Sequence, residues 1–177
     1  TRGTQYPQDA CVHSLFEDQR RKHPEQTALI SGSHAISYET FGWASDRLAA
    51  ELRALGCQAE ALVGLIFSRG MEMLVAIYGT LKAGGAYVPM DPHYPEDRIR
   101  SIMDDIGALA LLSTSTLAAK APRGWPADRL VLVDLAIARY KGEESVAASP
   151  PPEGWQAPSG SSPVYVFFTS GTTGKPK

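Results

Sequence analysis

Within nine residues, Thr169-Ser-Gly-Thr-Thr-Gly-Lys-Pro-Lys177 gathers four hydroxyls, two glycines and two lysines. Gly171 and Gly174 admit backbone angles that let successive amides turn toward one anion. Thr169, Ser170, Thr172 and Thr173 add hydroxyl donors, and Lys175 and Lys177 add positive charge. The chemistry this describes is the gripping of a polyphosphate. The Gly-x-x-Gly-Lys spacing is shorter than the Gly-x-x-x-x-Gly-Lys loop of P-loop nucleotidases and does not point to them. A flexible linker or surface turn has a similar composition. What favours a site is the run before it: Val164-Tyr-Val-Phe-Phe168, apolar, β-branched and aromatic, reads as a buried strand leading into the loop.

The elements that must position this loop are legible upstream. A helix is expected from about Val12 to His23, with Leu15, Phe16 and Gln19 along one side and Pro24 ending it. Thr27–Ser31 and Ala35–Tyr38 read as short strands joined at Gly32-Ser33. Phe41, Ala44, Leu48, Leu52 and Leu55 recur at helical spacing before a Gly56 stop. Leu62–Phe67 is a continuous apolar strand. A helix carrying Met71, Leu74, Val75, Tyr78 and Leu81 follows it, then the strand Ala86–Met90. A further helix opens at Pro95 with Glu96 and Asp97 in its first turn and presents Ile99, Ile102, Met103 and Ile106. Ala108–Leu112 and Leu130–Asp134 complete the strands, and Arg139–Ser162, rich in Pro, Gly and Ser, is an exposed irregular connection. Apolar strands alternating with helices give the fold class: α/β, a mainly parallel sheet with helices on both faces.

Composition removes several functions. Seventeen Lys and Arg against nineteen Asp and Glu give a net charge of −2 without a basic stripe, so nucleic acid is not an expected partner. Arg20-Arg21-Lys22 reads as the solvated end of a helix. No apolar run reaches membrane-spanning length, and the polar start is no signal peptide. Cys11 and Cys57 have neither metal nor redox spacing, which suits a reducing cytosol, and the four histidines (His13, His23, His34, His93) show no metal spacing. The absence of an initiator Met and an end inside the loop lead to the expectation of an internal piece of a longer protein.

Thr169–Lys177 resembles the phosphate-binding signature of adenylate-forming enzymes: acyl-CoA synthetases, luciferases and adenylation domains of nonribosomal peptide synthetases. Leu81-Lys-Ala-Gly-Gly-Ala-Tyr-Val-Pro-Met-Asp91-Pro-His-Tyr-Pro95-Glu-Asp-Arg98-Ile99 resembles the second core motif of the peptide synthetase adenylation domains, and Ile36-Ser-Tyr-Glu-Thr-Phe41 the first. The three fall in family order and span nearly the whole chain. Two positions depart from the pattern. Gly171-Thr-Thr-Gly174 is more familiar from acyl-CoA ligases, though Thr keeps the hydroxyl of the usual Ser. Asp97 replaces the usual Glu before Arg98.

The resemblance implies a partial N-terminal subdomain of the adenylate-forming fold, residues 1–177 belonging to a single adenylation domain cut inside its phosphate loop. The whole enzyme would join an amino acid to AMP from ATP with Mg²⁺ present, release pyrophosphate, and load the aminoacyl group on the phosphopantetheine of a carrier domain. Neighbouring synthetase domains and the remaining part of the adenylation domain are the implied partners, and the cytoplasm the implied compartment. An acyl- or aryl-CoA ligase, and a non-catalytic scaffold module, are the alternatives. Nucleotide contact is assigned to Thr169, Ser170, Gly171, Thr172, Thr173, Gly174, Lys175 and Lys177, with no catalytic or metal-ligating residue in this chain, which alone is expected to be inactive. Gly84-Gly85 are assigned to close helix–strand approach, and Asp91-Pro92 and Tyr94-Pro95 to a turn and helix start.

Overall fold

The computed structural model describes residues 10–140 and 151–168. Helix α1 (Val12–Lys22) is followed by the antiparallel hairpin β1 (Thr27–Ser31) and β2 (His34–Ser37), turning at Gly32 with φ +59°. Helix α2 (Tyr38–Ala54) starts where the Ser37 hydroxyl accepts the Thr40 amide at 3.2 Å, and it buries Phe41, Ala44, Leu48 and Leu52 at the spacing of one helix face. Then come β3 (Leu62–Ile66), α3 (Met71–Lys82), β4 (Ala86–Met90), α4 (Glu96–Asp105) and β5 (Ala110–Ser113). Two short 3₁₀ turns, β6 (Leu130–Leu132) and α5 (Val133–Tyr140) follow.

The four strands β4-β3-β5-β6 form one sheet with every neighbouring pair parallel. Alternate side chains serve opposite faces. Val63, Leu65 and Leu112 join Leu48, Leu52 and Val75 on one side, and Ile66, Val88 and Leu111 join Ile99, Ile102 and Met103 of α4 on the other. Full burial of each such Leu or Ile contributes roughly 1.5–3 kcal/mol against exposure. Helices on both faces of a parallel sheet are thus observed as expected.

Several expectations need correction. Leu130-Val-Leu-Val-Asp134 is strand for only three residues, because helix α5 takes over at Val133. Arg139 belongs to that helix rather than to the irregular connection. The buried side of α1 is not Leu15, Phe16 and Gln19. Leu15 is 49% exposed, Gln19 is exposed, and Phe16 is flanked by His13, Glu17 and Arg20 facing inward.

Arg20 is accordingly no solvated helix end. Its guanidinium donates to both Glu39 carboxylate oxygens (2.9 and 2.8 Å) and to Asp46 (2.6 Å). Lys82 of α3, 8% exposed, donates to Asp46 at 2.8 Å and to the Gly42 carbonyl at 3.3 Å, and it pairs with Glu17. Two cations and three carboxylates therefore bolt α1 to α2 and α3. Apolar periodicity cannot see such a face, because its residues read as surface.

Segment 164–168 is the last correction. It lies parallel beside β4 through two backbone bonds around Tyr87: Tyr87 N–H to the Val164 carbonyl (3.1 Å) and Val166 N–H to the Tyr87 carbonyl (3.0 Å). Val166 and Phe168 pack on the α4 side of the sheet, but Tyr165 and Phe167 are 52% and 58% exposed. Instead of a buried strand the run makes an edge, covered on one face.

Candidate functional site

Strands β3, β4 and segment 164–168 all run the same way, so their carboxyl ends open on one rim. A crevice of about 700 Å³ lies there, lined by Ser68 and Arg69 after β3, Asp91, His93 and Tyr94 after β4, and Phe168. In open parallel sheets this rim is where ligands bind, since the connecting turns and helix starts gather at it. Phe168 is the residue directly before Thr169. The eight assigned contacts, Thr169, Ser170, Gly171, Thr172, Thr173, Gly174, Lys175 and Lys177, lie outside the described residues. The segment that leads to them ends on the crevice wall.

Several positions of the second motif have structural duties. The Asp91 carboxylate accepts the His93 amide at 2.8 Å and faces the His93 ring nitrogen at the same distance. The backbone bond from His93, then its side chain, hold the Asp91 carboxyl below the usual range. Tyr94 N–H closes the turn on the Asp91 carbonyl at 2.9 Å, and Pro95 stands as N-cap of α4. Arg98 sits 5.9 Å from the Tyr94 ring centroid. Gly84 has φ +93°, and a Cβ on Gly85 would come within 3.0 Å of the Ala61 carbonyl oxygen and 2.8 Å of Cys57 Sγ. Gly85 therefore lets α3 and β4 close on the turn before β3, as expected, whereas Gly84 has ordinary space around it and is needed for its positive φ. Burial pushes the Cys57 thiol up to about 11, which leaves it inert.

Of the residues with roles that were not singled out by sequence, two lie at the carboxyl end of α3. One is Lys82, inside the second motif. The other is Trp155, whose indole N–H donates to the Ala83 carbonyl at 3.1 Å. A lone aromatic in a Pro-, Gly- and Ser-rich stretch was the available signal. Among the described residues no group of three or more His, Cys, Asp or Glu is placed to hold a metal ion, and no helix is long and apolar enough to cross a membrane.

A twisted parallel sheet between helical layers, with a crevice at its carboxyl rim, defines the class as an α/β small-ligand-binding fold. The chain belongs to the AMP-binding enzyme family, whose model matches residues 16–177. It is 38% identical over 173 residues to bacitracin synthase 3 of Bacillus licheniformis, covering 97% of this chain and 2% of that protein. It is 35% identical over 167 residues to zwittermicin A synthase ZmaJ of Bacillus cereus, covering 94% and 30% respectively. The chain thus spans a minor part of the curated relatives it matches. Among solved structures it superposes on the nonribosomal peptide synthetase FmoA3 (S1046A) in its α-methyl-L-serine-AMP-bound form. That match has a TM-score of 0.79 at 26% identity, over 98% of this chain and 18% of that one. The N-terminal subdomain of Klebsiella oxytoca NpsA matches at TM-score 0.75 and 23% identity, over 97% and 41%, and speaks to the fold alone.

Proposed function

We propose that this chain is the amino-terminal part of one adenylation domain in a nonribosomal peptide synthetase, and that Thr169–Lys177 holds the β- and γ-phosphates of ATP. The observation that carries the reading is the junction at Phe168, where a strand at the ligand rim of a parallel sheet is followed at once by four hydroxyls, two glycines and two lysines. The relatives support it: bacitracin, gramicidin S and tyrocidine synthases match over almost all of this chain, and FmoA3 is known with AMPPNP and with an aminoacyl-AMP. The substrate amino acid's carboxylate attacks the α-phosphorus and pyrophosphate leaves. Catalysis by this loop consists of aligning two anions and neutralising charge on the leaving group. Thr172, Thr173 and Lys175 are the side-chain donors; Thr169, Ser170, Gly171, Gly174 and Lys177 complete the cradle.

Mg²⁺ neutralises phosphate charge in this reading, and no ligand to it is assigned within the chain. The aminoacyl group then passes to the phosphopantetheine thiol of a carrier domain, in the cytoplasm. The remainder of the adenylation domain and neighbouring synthetase domains are the partners. The test is amino-acid-dependent ATP–pyrophosphate exchange by the complete protein. Lys175→Ala or Thr173→Ala lowers exchange by about 100-fold, the loss that follows removal of one oxyanion-stabilising donor. Wild-type exchange in both variants removes the assignment. Acyl transfer to free CoA in place of a carrier would make the protein an acyl- or aryl-CoA ligase.

A further inference from the structure

Residues 151–163 form a strap that runs past the end of α3 and delivers segment 164–168 to the free edge of β4. Among the described residues, the large side chain that anchors the strap is Trp155. The Trp155 indole donates to the Ala83 carbonyl at 3.1 Å, and the Arg53 guanidinium lies 5.3 Å from its ring centroid. Arg53 also donates to the neighbouring Lys82 carbonyl at 3.2 Å, so Trp155 and Arg53 together satisfy two carbonyls at the end of α3. Beneath the ring sits Gly84, where an added Cβ would lie 3.7 Å from Trp155 Cζ2. Further along, the strap is loosely held. The Cys11 thiol donates to the Pro158 carbonyl at 3.4 Å, and a cavity of about 100 Å³ lies between Cys11, Gly85, Pro158 and Val164.

Among the described residues, segment 164–168 makes two backbone bonds, both to Tyr87, and exposes two of its aromatic rings. Val166 and Phe168 on the α4 side fix which residues of the segment face inward, so what two bonds to a single residue leave open is a smaller displacement of its carboxyl end. We propose that Trp155 is a positioning residue for the nucleotide site: by clamping the strap to the Ala83 carbonyl it sets where Phe168 leaves the sheet and hence where Thr169 begins. The inference rests on the reading of Thr169–Lys177 as the triphosphate cradle.

The test is pyrophosphate exchange by the full-length protein with the amino acid that supports the fastest exchange. Trp155→Ala raises the KM for ATP about tenfold, while the KM for the amino acid stays within about twofold, because a displacement near 1 Å is costly only at the phosphates. Trp155→Phe keeps a ring for Arg53 but loses the donor to Ala83, and gives an intermediate rise. An unchanged KM for ATP in Trp155→Ala overturns the proposal. So does a parallel rise of both KM values with loss of thermal stability in Trp155→Phe, which is general unfolding. Wild-type protein that exchanges with no amino acid sinks the reading of the loop instead. The clamp is then judged by amide hydrogen exchange: Tyr87 and Val166 exchange at least about tenfold faster in Trp155→Ala, and unchanged protection refutes it.

Discussion

Lys82→Met, made in the complete adenylation domain, tests the ionic bolt that docks α1. The change keeps the aliphatic bulk but removes an ammonium that donates to Asp46 at 2.8 Å and to the Gly42 carbonyl at 3.3 Å and pairs with Glu17. Breaking a buried ion pair from one side costs about 3–5 kcal/mol, because the stranded charge has lost its solvation and its partner. Two features reduce that here. Arg20 still reaches Asp46 at 2.6 Å and Glu17 at 3.4 Å, and the two carboxylate side chains are 34% and 28% exposed, so water screens them in part. The expected loss is therefore about 2–3 kcal/mol, read as a lower urea midpoint with an unchanged slope. Adding Glu17→Gln removes one stranded charge, so the double variant falls short of the sum of the singles by about 1 kcal/mol. A Lys82→Met domain within about 0.5 kcal/mol of wild type, or strict additivity, refutes the reasoning.

Two further outcomes follow from the same packing. Burial, then the charge of Lys82, lowers the pKa of His13 from the ordinary 6.5, so the unfolded chain binds more protons in that window. Stability is full above about pH 6.5 and falls as pH drops toward the lowered folded value; urea melts of wild type against His13→Gln separate this slope from that of the carboxylates below it. In the second motif, Gly85→Ala drives a methyl against the Ala61 carbonyl and costs about 1–3 kcal/mol, whereas Gly84→Ala keeps its space but pays about 1–2 kcal/mol for φ +93°. Thermal melts check both, and a neutral Gly85→Ala contradicts the close approach.

Much of the fold could be read from apolar spacing, since α2 and α4 bury most of the residues their periods predict and Gly56 and Gly84 adopt the positive φ that ends helices; α3 buries only Val75 and Leu81 of its expected five, and Ala76, Gly79, Thr80 and Lys82 complete its inward face. The turn at Asp91 was legible for a different reason: an Asp carboxylate accepts from the backbone amide two residues on and so makes its own local bond. The face of α1 was not legible, because Glu17 and Arg20 become interior only through Asp46 and Lys82, residues far away in sequence. Nor was the exposure of Tyr165 and Phe167, since a run apolar at every position says nothing about which face its neighbours cover. For the candidate site, the sequence named the loop residues and the fold supplies the rim from which they depart, while Trp155 acquires meaning only once the Ala83 carbonyl is seen to accept its indole N–H.

The central claim is tested most directly by a structure of the complete protein bound to a non-hydrolysable ATP analogue. The expected result is the β- and γ-phosphates within hydrogen-bond distance of the Thr172 and Thr173 hydroxyls and the Lys175 ammonium, beside the crevice at Phe168. A triphosphate bound elsewhere, with Thr169–Lys177 contacting none of it, would contradict the account.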